Sequence, residues 1–254
     1  MSSRSIAVMV AMADELIHLR RVADEETLST MNLWERIDLR FGDRTVTAIH
    51  TGIGMINAAA AMERTVAELQ PDVVLNYGCT GAHLREIQPG DVVIGERTVN
   101  STSLNVLRDG SEAHNGRGYG VSIDQIFPAV IDADPNLLAA AQRVARGYQI
   151  EVWPGRDDRP ILRLGPIVSS DIWTQSLPRL DILHERHGSL AEDMEAAALA
   201  HVCLLHNLPF LAIKDISNNE YHKASDLAEF SDFPIAEIGK RAAAFVRALI
   251  LALN

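Results

Sequence analysis

Short apolar runs alternate with helix-forming segments along most of the chain, and this alternation constrains the fold more than any other feature. Residues 6–11 (Ile-Ala-Val-Met-Val-Ala) are all apolar, as expected of a strand covered on both faces. Residues 55–69 are alanine-rich and stop before Pro71, which is typical of a helix. Strands that alternate with helices predict an α/β fold with a central mixed sheet flanked by helices.

The same patterns locate the remaining elements. Residues 33–41 and 45–50 predict a hairpin around Gly42 and Asp43. The polar segment 100–122 predicts a long loop, and such loops often carry binding residues. No repeat or domain boundary is visible, so we expect one domain over residues 1–254. Further strands are predicted at 73–77, 91–94, 161–169 and 210–216, and further helices at 15–22, 137–146, 195–206 and 235–251.

Composition excludes several classes of protein. A formal net charge of −11 argues against a nucleic-acid-binding surface. No run of 18 apolar residues is present, so no membrane span is expected. The two cysteines, Cys79 and Cys203, lie in apolar contexts and fit a reducing compartment, which predicts a cytoplasmic protein. The histidines are scattered without metal-ligand spacing.

Three carboxylates and a methionine are concentrated at residues 192–195, directly before an apolar, alanine-rich helix. A helix N-terminus favours an anion, so these acids are well placed to face a pocket. Glu and Met together suit a ligand with one polar edge and one apolar face. The alternative is an acidic first turn on an ordinary core helix.

Other candidate site residues follow strand ends, where ligands of open α/β sheets bind. Glu15 follows the first strand, and the glycines of the segment 78–81 flank Cys79 and Thr80 to form a possible ligand floor. Trp173 is a candidate stacking surface for a flat ring. Each also has a structural alternative. Glu15 could be an ordinary acid in the first turn of a helix, the segment 78–81 a close-packed turn, and Trp173 an aromatic residue of the core. A nucleophilic role for Cys79 is not expected, since no base lies near it in sequence.

The turn Gly52-Ile53-Gly54 precedes a predicted helix and could bring backbone N–H groups to a polar ligand. It weakly resembles a dinucleotide-binding fingerprint, but Asn57 occupies the position of the third glycine. A purely structural tight turn remains the alternative.

Taken together, these motifs resemble the nucleoside phosphorylase and nucleosidase superfamily, and within it the 5′-methylthioadenosine/S-adenosylhomocysteine nucleosidases. The resemblance implies a single three-layer α/β/α domain, cleavage of the N-ribosidic bond of a purine nucleoside, and no metal or organic cofactor. It also implies a homodimer in which a loop of one subunit closes the neighbour's pocket, and the segment 100–122 is the candidate loop. The matching segments, in order, are Ala-Met-x-x-Glu at 11–15, Gly-Ile-Gly at 52–54, Gly-x-x-Gly at 78–81, Ser-x-Asp at 169–171 and Met-Glu-Ala-Ala-Ala at 194–198.

The resemblance also implies roles for single residues. Glu15 matches the acid that activates the attacking water, and Glu195 matches the acid that holds the ribose hydroxyls. Met194 matches the sulfur packed under the sugar, and Trp173 falls where an aromatic ring contacts the purine. These residue types suit the reaction, because carboxylates can deprotonate water and stabilise an oxocarbenium ion. Four further residues are expected to contact substrate: Cys79, Thr80, Gly81 and Asp193.

One position departs from the family pattern, in which a Ser-Asp pair after the late strand supplies a proton to purine N7. Here the pair is Ser217-Asn218, and a neutral amide can donate a hydrogen bond but not a proton at pH 7. Three hypotheses follow: Asn218 recognises a 6-oxopurine, Asp215 or Glu220 replaces the acid, or the chain binds nucleosides without cleaving them well.

Water is favoured over phosphate as the nucleophile. The Gly-Asp-Pro-x-Arg loop of the phosphorylases is absent, and Asn76 stands where purine phosphorylases often have arginine. A carboxylate such as Glu15 beside a phosphate dianion would be repulsive. The sequence therefore favours a purine nucleoside N-ribohydrolase, and leaves a phosphorylase or a nucleoside-binding protein with weak catalysis as alternatives.

Overall fold

A computed structural model describes residues 4–119, 126–222 and 235–253. Its described part contains a ten-stranded mixed sheet, two short strand pairs and six α-helices. The helices are α1 (Ala13–Val22), α2 (Met55–Leu69), α3 (Pro135–Ala145), α4 (Leu177–His187), α5 (Ala196–Leu205) and α6 (Lys240–Ala252). The strands are β1 (Ile6–Val10), β2 (Glu25–Met31), β3 (Trp34–Phe41), β4 (Arg44–His50), β5 (Val73–Ala82), β6 (Val92–Asn100), β7 (Leu104–Val106), β8 (Glu112–His114), β9 (Arg117–Tyr119), β10 (Ile126–Pro128), β11 (Val130–Asp132), β12 (Leu162–Ser169), β13 (Ala191–Asp193) and β14 (Phe210–Asn218).

The sheet combines parallel and antiparallel pairs. Strand β1 lies parallel to β4 and β5, and β5 lies parallel to β14. The short strand β13 pairs antiparallel with β5 and parallel with β12. Residues near the carboxyl ends of β1, β5 and β14 therefore meet residues of β13 at one region of the sheet.

Alternate side chains of the central strands enter two different cores, which makes the molecule three layers deep. Ile6, Val8 and Val10 pack on one face of the sheet with α1, α3 and α6. Ala7 and Met9 pack on the other face with α2 and α5. This two-sided burial explains the unbroken apolar run of β1, and it confirms the predicted mixed α/β fold.

Most predicted elements are present with small shifts at their ends. The helix predicted at 55–69 has those bounds, and the predicted hairpin is formed by β3 and β4. Helix α6 begins at Lys240, after Gly239 in a left-handed conformation (φ 74°), and not at residue 235.

Three regions were predicted wrongly or missed. The segment 100–122 is not a plain loop, because its described part, up to residue 119, contains β7, β8 and β9, and β7 pairs with β8. The edge strand β2 was missed because its side chains are almost all exposed and give no apolar signal. The polar helix α4 was also missed.

The acidic residues at 192 and 193 were expected at a helix start, but they belong to the strand β13. Backbone pairing of this segment with β12 and β5 extends it, and α5 begins only at Ala196. Among the described helices, none combines the length and apolar character that crossing a bilayer requires.

Candidate active site

A cavity of about 320 Å³ opens where β1, β5, β13 and β14 end. This volume lies within the range of small-molecule sites. Five acidic residues line it and no lysine or arginine of the described chain does. The lining residues are Ala11, Met12, Asp14, Glu15, Ile53, Cys79, Thr80, Gly81, Ile172, Trp173, Glu192, Asp193, Met194, Glu195, Ser217, Asn218, Ile235 and Ile238.

Glu15 lies in the first turn of α1 and is almost completely buried. Its Oε1 accepts a hydrogen bond from the Cys79 backbone N–H at 2.7 Å, and its Oε2 accepts one from the Met12 N–H at 3.1 Å. Burial raises the pKa of Glu15 above its ordinary value, although the Lys214 charge and the two N–H donors oppose the rise. A fixed carboxylate with a raised pKa is suited to act as a general base.

Close approach of the backbone to Glu15 requires a glycine at position 78. A Cβ atom there would lie 2.6 Å from Glu15 Oε1, closer than non-bonded atoms approach. Gly78 thus allows the next residue, Cys79, to donate its N–H to the carboxylate. Burial also raises the pKa of the Cys79 thiol well above its ordinary value, so this residue is not a thiolate nucleophile.

Lys214 is the counter-charge for the buried acids. It is only 1% exposed, and its Nζ lies 2.8 Å from Asp193 Oδ2 and 3.7 Å from Glu195 Oε2. Burial alone would lower the pKa of Lys214, but the charges of Asp193, Glu195 and Glu15 outweigh it and raise the pKa. The lysine therefore stays protonated, and its charge acts on acids from two distant parts of the chain, Glu15 and the pair Asp193 and Glu195.

Glu195 links this cluster to the Gly52–Gly54 turn. Its Oε1 accepts a hydrogen bond from the Gly54 N–H at 3.0 Å, and Asp171 Oδ1 accepts one from the Met55 N–H at 2.7 Å. Burial raises the pKa of Glu195, Lys214 opposes the rise, and the neighbouring Asp193 adds to it. The N–H groups at the end of the turn and at the start of α2 thus bind two carboxylates of the protein itself.

The other end of the cavity is organised around Gly81. In the sheet register this residue pairs with Glu192 of β13 on one side and with Asn218 of β14 on the other. The Glu192 side chain accepts a hydrogen bond from the Thr174 N–H at 2.9 Å. Trp173, the residue before Thr174, is 41% exposed and lines the same cavity.

Asn218 is oriented by two neighbours. Its Oδ1 accepts a hydrogen bond from Ser217 Oγ, and its Nδ2 donates one to Glu220 Oε1, both at 2.8 Å. Both amide atoms lie near Gly81, with Nδ2 at 3.5 Å and Oδ1 at 3.8 Å from the position that a Cβ atom would take there.

Asp215 does not occupy the position of an alternative acid. Its carboxylate accepts hydrogen bonds from the N–H groups of Gly239 at 2.8 Å and Arg241 at 3.1 Å, where it caps the start of α6. Burial raises the pKa of Asp215 to about 7 despite these donors, but the side chain is not among those that line the cavity. Glu220 also lies outside the lining, and its Oε1 accepts the hydrogen bond from Asn218 Nδ2.

All nine site residues predicted from the sequence line this one cavity: Glu15, Cys79, Thr80, Gly81, Trp173, Asp193, Met194, Glu195 and Asn218. Asp193 has little capacity left for a ligand. One of its oxygens is bound by Lys214, the other accepts a hydrogen bond from Ser169 Oγ, and the Ala196 N–H adds a further bond.

Sequence reasoning missed Lys214, and it gave Glu192 no role of its own beyond its place among the acids of residues 192–195. A single lysine inside the otherwise apolar start of β14 was a usable signal, since a buried charge needs a partner. Glu192 gave no distinct signal, because the sequence does not show to which side of the chain each acid of residues 192–195 points.

A sequence profile of the phosphorylase superfamily matches residues 5–251. The chain belongs to the phosphorylase superfamily. This superfamily member is 29% identical over 227 residues to the 5′-methylthioadenosine/S-adenosylhomocysteine nucleosidase of Oceanobacillus iheyensis, and the match covers 85% of this chain and 88% of the relative.

Solved structures agree with this placement in the phosphorylase superfamily. The nucleosidase of the same name from Neisseria meningitidis, in complex with methylthio-immucillin-A, is 26% identical with a TM-score of 0.79, over 99% of this chain and 100% of that one. Futalosine hydrolase of Helicobacter pylori is 17% identical with a TM-score of 0.80, over 98% of each chain, and shows the shared fold alone.

Proposed function

We propose that this chain is a purine nucleoside N-ribohydrolase, which cleaves the C1′–N9 bond with water and releases a free base. The observation that carries the proposal is the convergence of Glu15 and Glu195, 180 positions apart in the chain, on one cavity, where the charge of the buried Lys214 acts on both. The nucleosidases named above act on 5′-methylthioadenosine and S-adenosylhomocysteine, and nucleosides of this kind are the first candidate substrates.

We place the sugar at the end of the cavity formed by Glu15 and Glu195, and the N-ribosidic bond is cleaved there. Glu15 deprotonates the attacking water, for which its fixed position and raised pKa are suited. Glu195 accepts the ribose hydroxyls, and the half-buried Met194 packs under the sugar. The negative charge that lines the cavity stabilises the positive charge that develops on the sugar as the bond breaks.

The base end of the cavity binds the purine. Trp173 stacks on the base, and Asn218 Nδ2 donates a hydrogen bond to the purine edge. Gly81 lies beside Asn218, whereas Cys79, bonded to Glu15, and the adjacent Thr80 lie towards the ribose and the attacking water. Asn218 cannot supply a proton at pH 7, so the leaving base is stabilised by hydrogen bonding here and not by general acid catalysis from this residue. Asp193 positions Lys214 and the start of α5.

Phosphorolysis is disfavoured by the charge of the site. Five carboxyl side chains line the cavity, and the one buried lysine beside it is already paired with Asp193 and Glu195. A phosphate dianion would meet repulsion without a free cation from the described residues. A nucleoside-binding protein with weak catalysis is the second candidate, and the amide at position 218 is the observation that favours it.

The deciding experiment is base release from 5′-methylthioadenosine, S-adenosylhomocysteine, adenosine, inosine and futalosine, followed by chromatography with and without phosphate. We expect release from at least one nucleoside at a rate independent of phosphate. Strict phosphate dependence would identify a phosphorylase, and tight binding without release over long incubation would identify a binding protein.

We further propose a cytoplasmic homodimer in which the segment 100–122 closes the neighbour's pocket. Val106 and Leu107 in this segment are 69% and 51% exposed, which is costly for large apolar side chains unless a partner covers them. Residues 120–122 lie outside the described part. Full activity at a protein concentration where analytical ultracentrifugation shows only monomer would contradict this arrangement.

A further inference from the structure

The backbone of Gly239 packs against the stem of the Glu15 side chain. A Cβ atom at position 239 would lie 3.1 Å from Glu15 Cβ, 3.2 Å from its Cγ and 3.3 Å from its Cα. Gly239 also has a φ of 74°, a conformation that side-chain-bearing residues rarely adopt. Glycine is therefore required here twice, for the left-handed backbone and for the close approach to Glu15.

The position of Gly239 is fixed by Asp215. Gly239 is the N-cap residue of α6 and has no side chain with which to cap the helix. Asp215, on β14, supplies the missing acceptor from outside the helix, because its Oδ1 accepts the Gly239 N–H at 2.8 Å and its Oδ2 accepts the Arg241 N–H at 3.1 Å. A carboxylate at a helix N-terminus satisfies unpaired N–H groups and interacts favourably with the helix dipole.

Asp215 is also joined to the other backbone segment that confines Glu15. In the register of β5 and β14, Asp215 pairs with Cys79, whose N–H donates to Glu15 Oε1 at 2.7 Å. Cys79 thus binds the carboxylate of Glu15, and Gly239 contacts its stem. Asp215 itself is fully buried and is not among the described residues that line the cavity, so it acts on the site through these neighbours.

We propose that the start of α6, capped by Asp215 from β14, positions the general base. Gly239 is held against Glu15 by the Asp215 carboxylate, and this contact fixes the carboxylate that activates the attacking water. Asp215 and Gly239 are positioning residues in this arrangement, and the inference rests on the proposed function. The effect on the rate is large, because a misplacement of about 1 Å in a reacting group can cost about 100-fold.

Two substitutions disturb the contact from opposite ends. Gly239→Ala adds a methyl group against Glu15 and leaves Asp215 in place. Asp215→Asn keeps the shape of the side chain but leaves one acceptor oxygen for two N–H groups.

Each substitution has a matched control. Gly188→Ala introduces a side chain at a similar φ of 65°, but no described atom lies within 4 Å of the Cβ that it adds, so it carries the backbone strain alone. Asp134→Ala removes the side-chain cap of α3, a helix that contributes no residue to the described lining of the cavity.

We expect Gly239→Ala to lower kcat for base release by roughly 10- to 100-fold. Asp215→Asn should lower it by about 10-fold, the equivalent of one hydrogen bond. In both variants KM should change less than kcat, because the groups that bind the base are unaltered. The kcat is expressed per folded molecule, measured by circular dichroism, and both controls should leave it unchanged.

Equal kcat values for Gly239→Ala and Gly188→Ala would overturn the proposal. It would also fail if Asp215→Asn lowered only the folded fraction and kept the full kcat. If Asp215→Asn does not fold, the two glycine variants decide the outcome, since both retain the aspartate.

A failure of the proposed function is distinguishable, because the wild-type protein would then release no base. In that case the amide proton of Cys79 reports the position of Glu15 in NMR spectra. Its resonance should move upfield in Gly239→Ala, where Glu15 Oε1 is displaced from it, and stay in place in Gly188→Ala. An unchanged Cys79 resonance in Gly239→Ala would overturn the positioning role.

Discussion

Replacing Lys214 with methionine removes the only cation that contacts the buried acids of the described site. Methionine keeps the length and most of the volume of the side chain, so the change is mainly electrostatic. Lys214 and Asp193 are each 1% exposed at their side chains, and Glu195 is 6% exposed. The variant would leave two acids uncompensated and remove the charge that opposes protonation of Glu15.

The expected loss of stability follows from these distances. With an effective dielectric constant of about 20, charges at 2.8 Å and 3.7 Å attract by roughly 6 and 4.5 kcal/mol before the cost of desolvation. Removing one partner of a buried pair costs about 3–5 kcal/mol net, because the other charge remains buried. For a chain of this size such a loss lowers Tm by roughly 6–20 °C.

Urea unfolding of wild type, Lys214→Met and Lys240→Met at pH 5.5 and pH 8 measures the effect. Lys240 is the control, because its ion pairs with Glu151 and Glu237 lie at the surface and contribute at most about 1 kcal/mol.

Without Lys214 the pKa values of Glu195 and Glu15 rise further in the folded state, since its charge lowers both. A raised acid pKa means that the folded protein binds protons more tightly than the unfolded chain, so stability is lost as pH increases. The penalty of Lys214→Met should therefore be larger at pH 8 than at pH 5.5. Equal costs for the two lysine variants, or a penalty independent of pH, would refute the assignment of Lys214 as the counter-charge.

Two further predictions concern activity. Glu15→Gln should lower kcat by about 10²–10⁴-fold with a smaller change in KM, since it removes the general base. In wild type, kcat should fall as pH drops through the pKa of Glu15, which burial places above the ordinary 4.5, and a pH–rate profile in which this acid limb persists in Glu15→Gln would contradict the role. Asn218→Asp places a second carboxyl group 2.8 Å from Glu220, so the pair should share a proton. Turnover of an adenine nucleoside should then rise by roughly 10-fold or more, and no gain, with inosine-type substrates still preferred, would indicate 6-oxopurine recognition by Asn218.

Local sequence patterns were sufficient to predict most helices and strands of the fold. The apolar run of β1 and the alanine-rich α2 carry their own signals, because burial on two faces and helix propensity act over neighbouring residues. The edge strand β2 carries no such signal, since an exposed strand is defined by its pairing with β3. The extended segment β13 was hidden for a similar reason, because its conformation depends on two partner strands.

The sequence by itself determined the alternating elements, the family and the residue types from which the site is built. Only the tertiary structure decided what each acid does. Asp193 pairs with Lys214, Glu195 accepts a hydrogen bond from the Gly54 N–H, and Glu192 accepts one from the Thr174 N–H, although all three lie within four residues. Glu192 and Asp193 are neighbours on β13 and therefore point to opposite sides of it, whereas Glu195 lies beyond the strand at the N-cap of α5. The partner of each acid is thus fixed by the elements packed next to it and not by its neighbours along the chain.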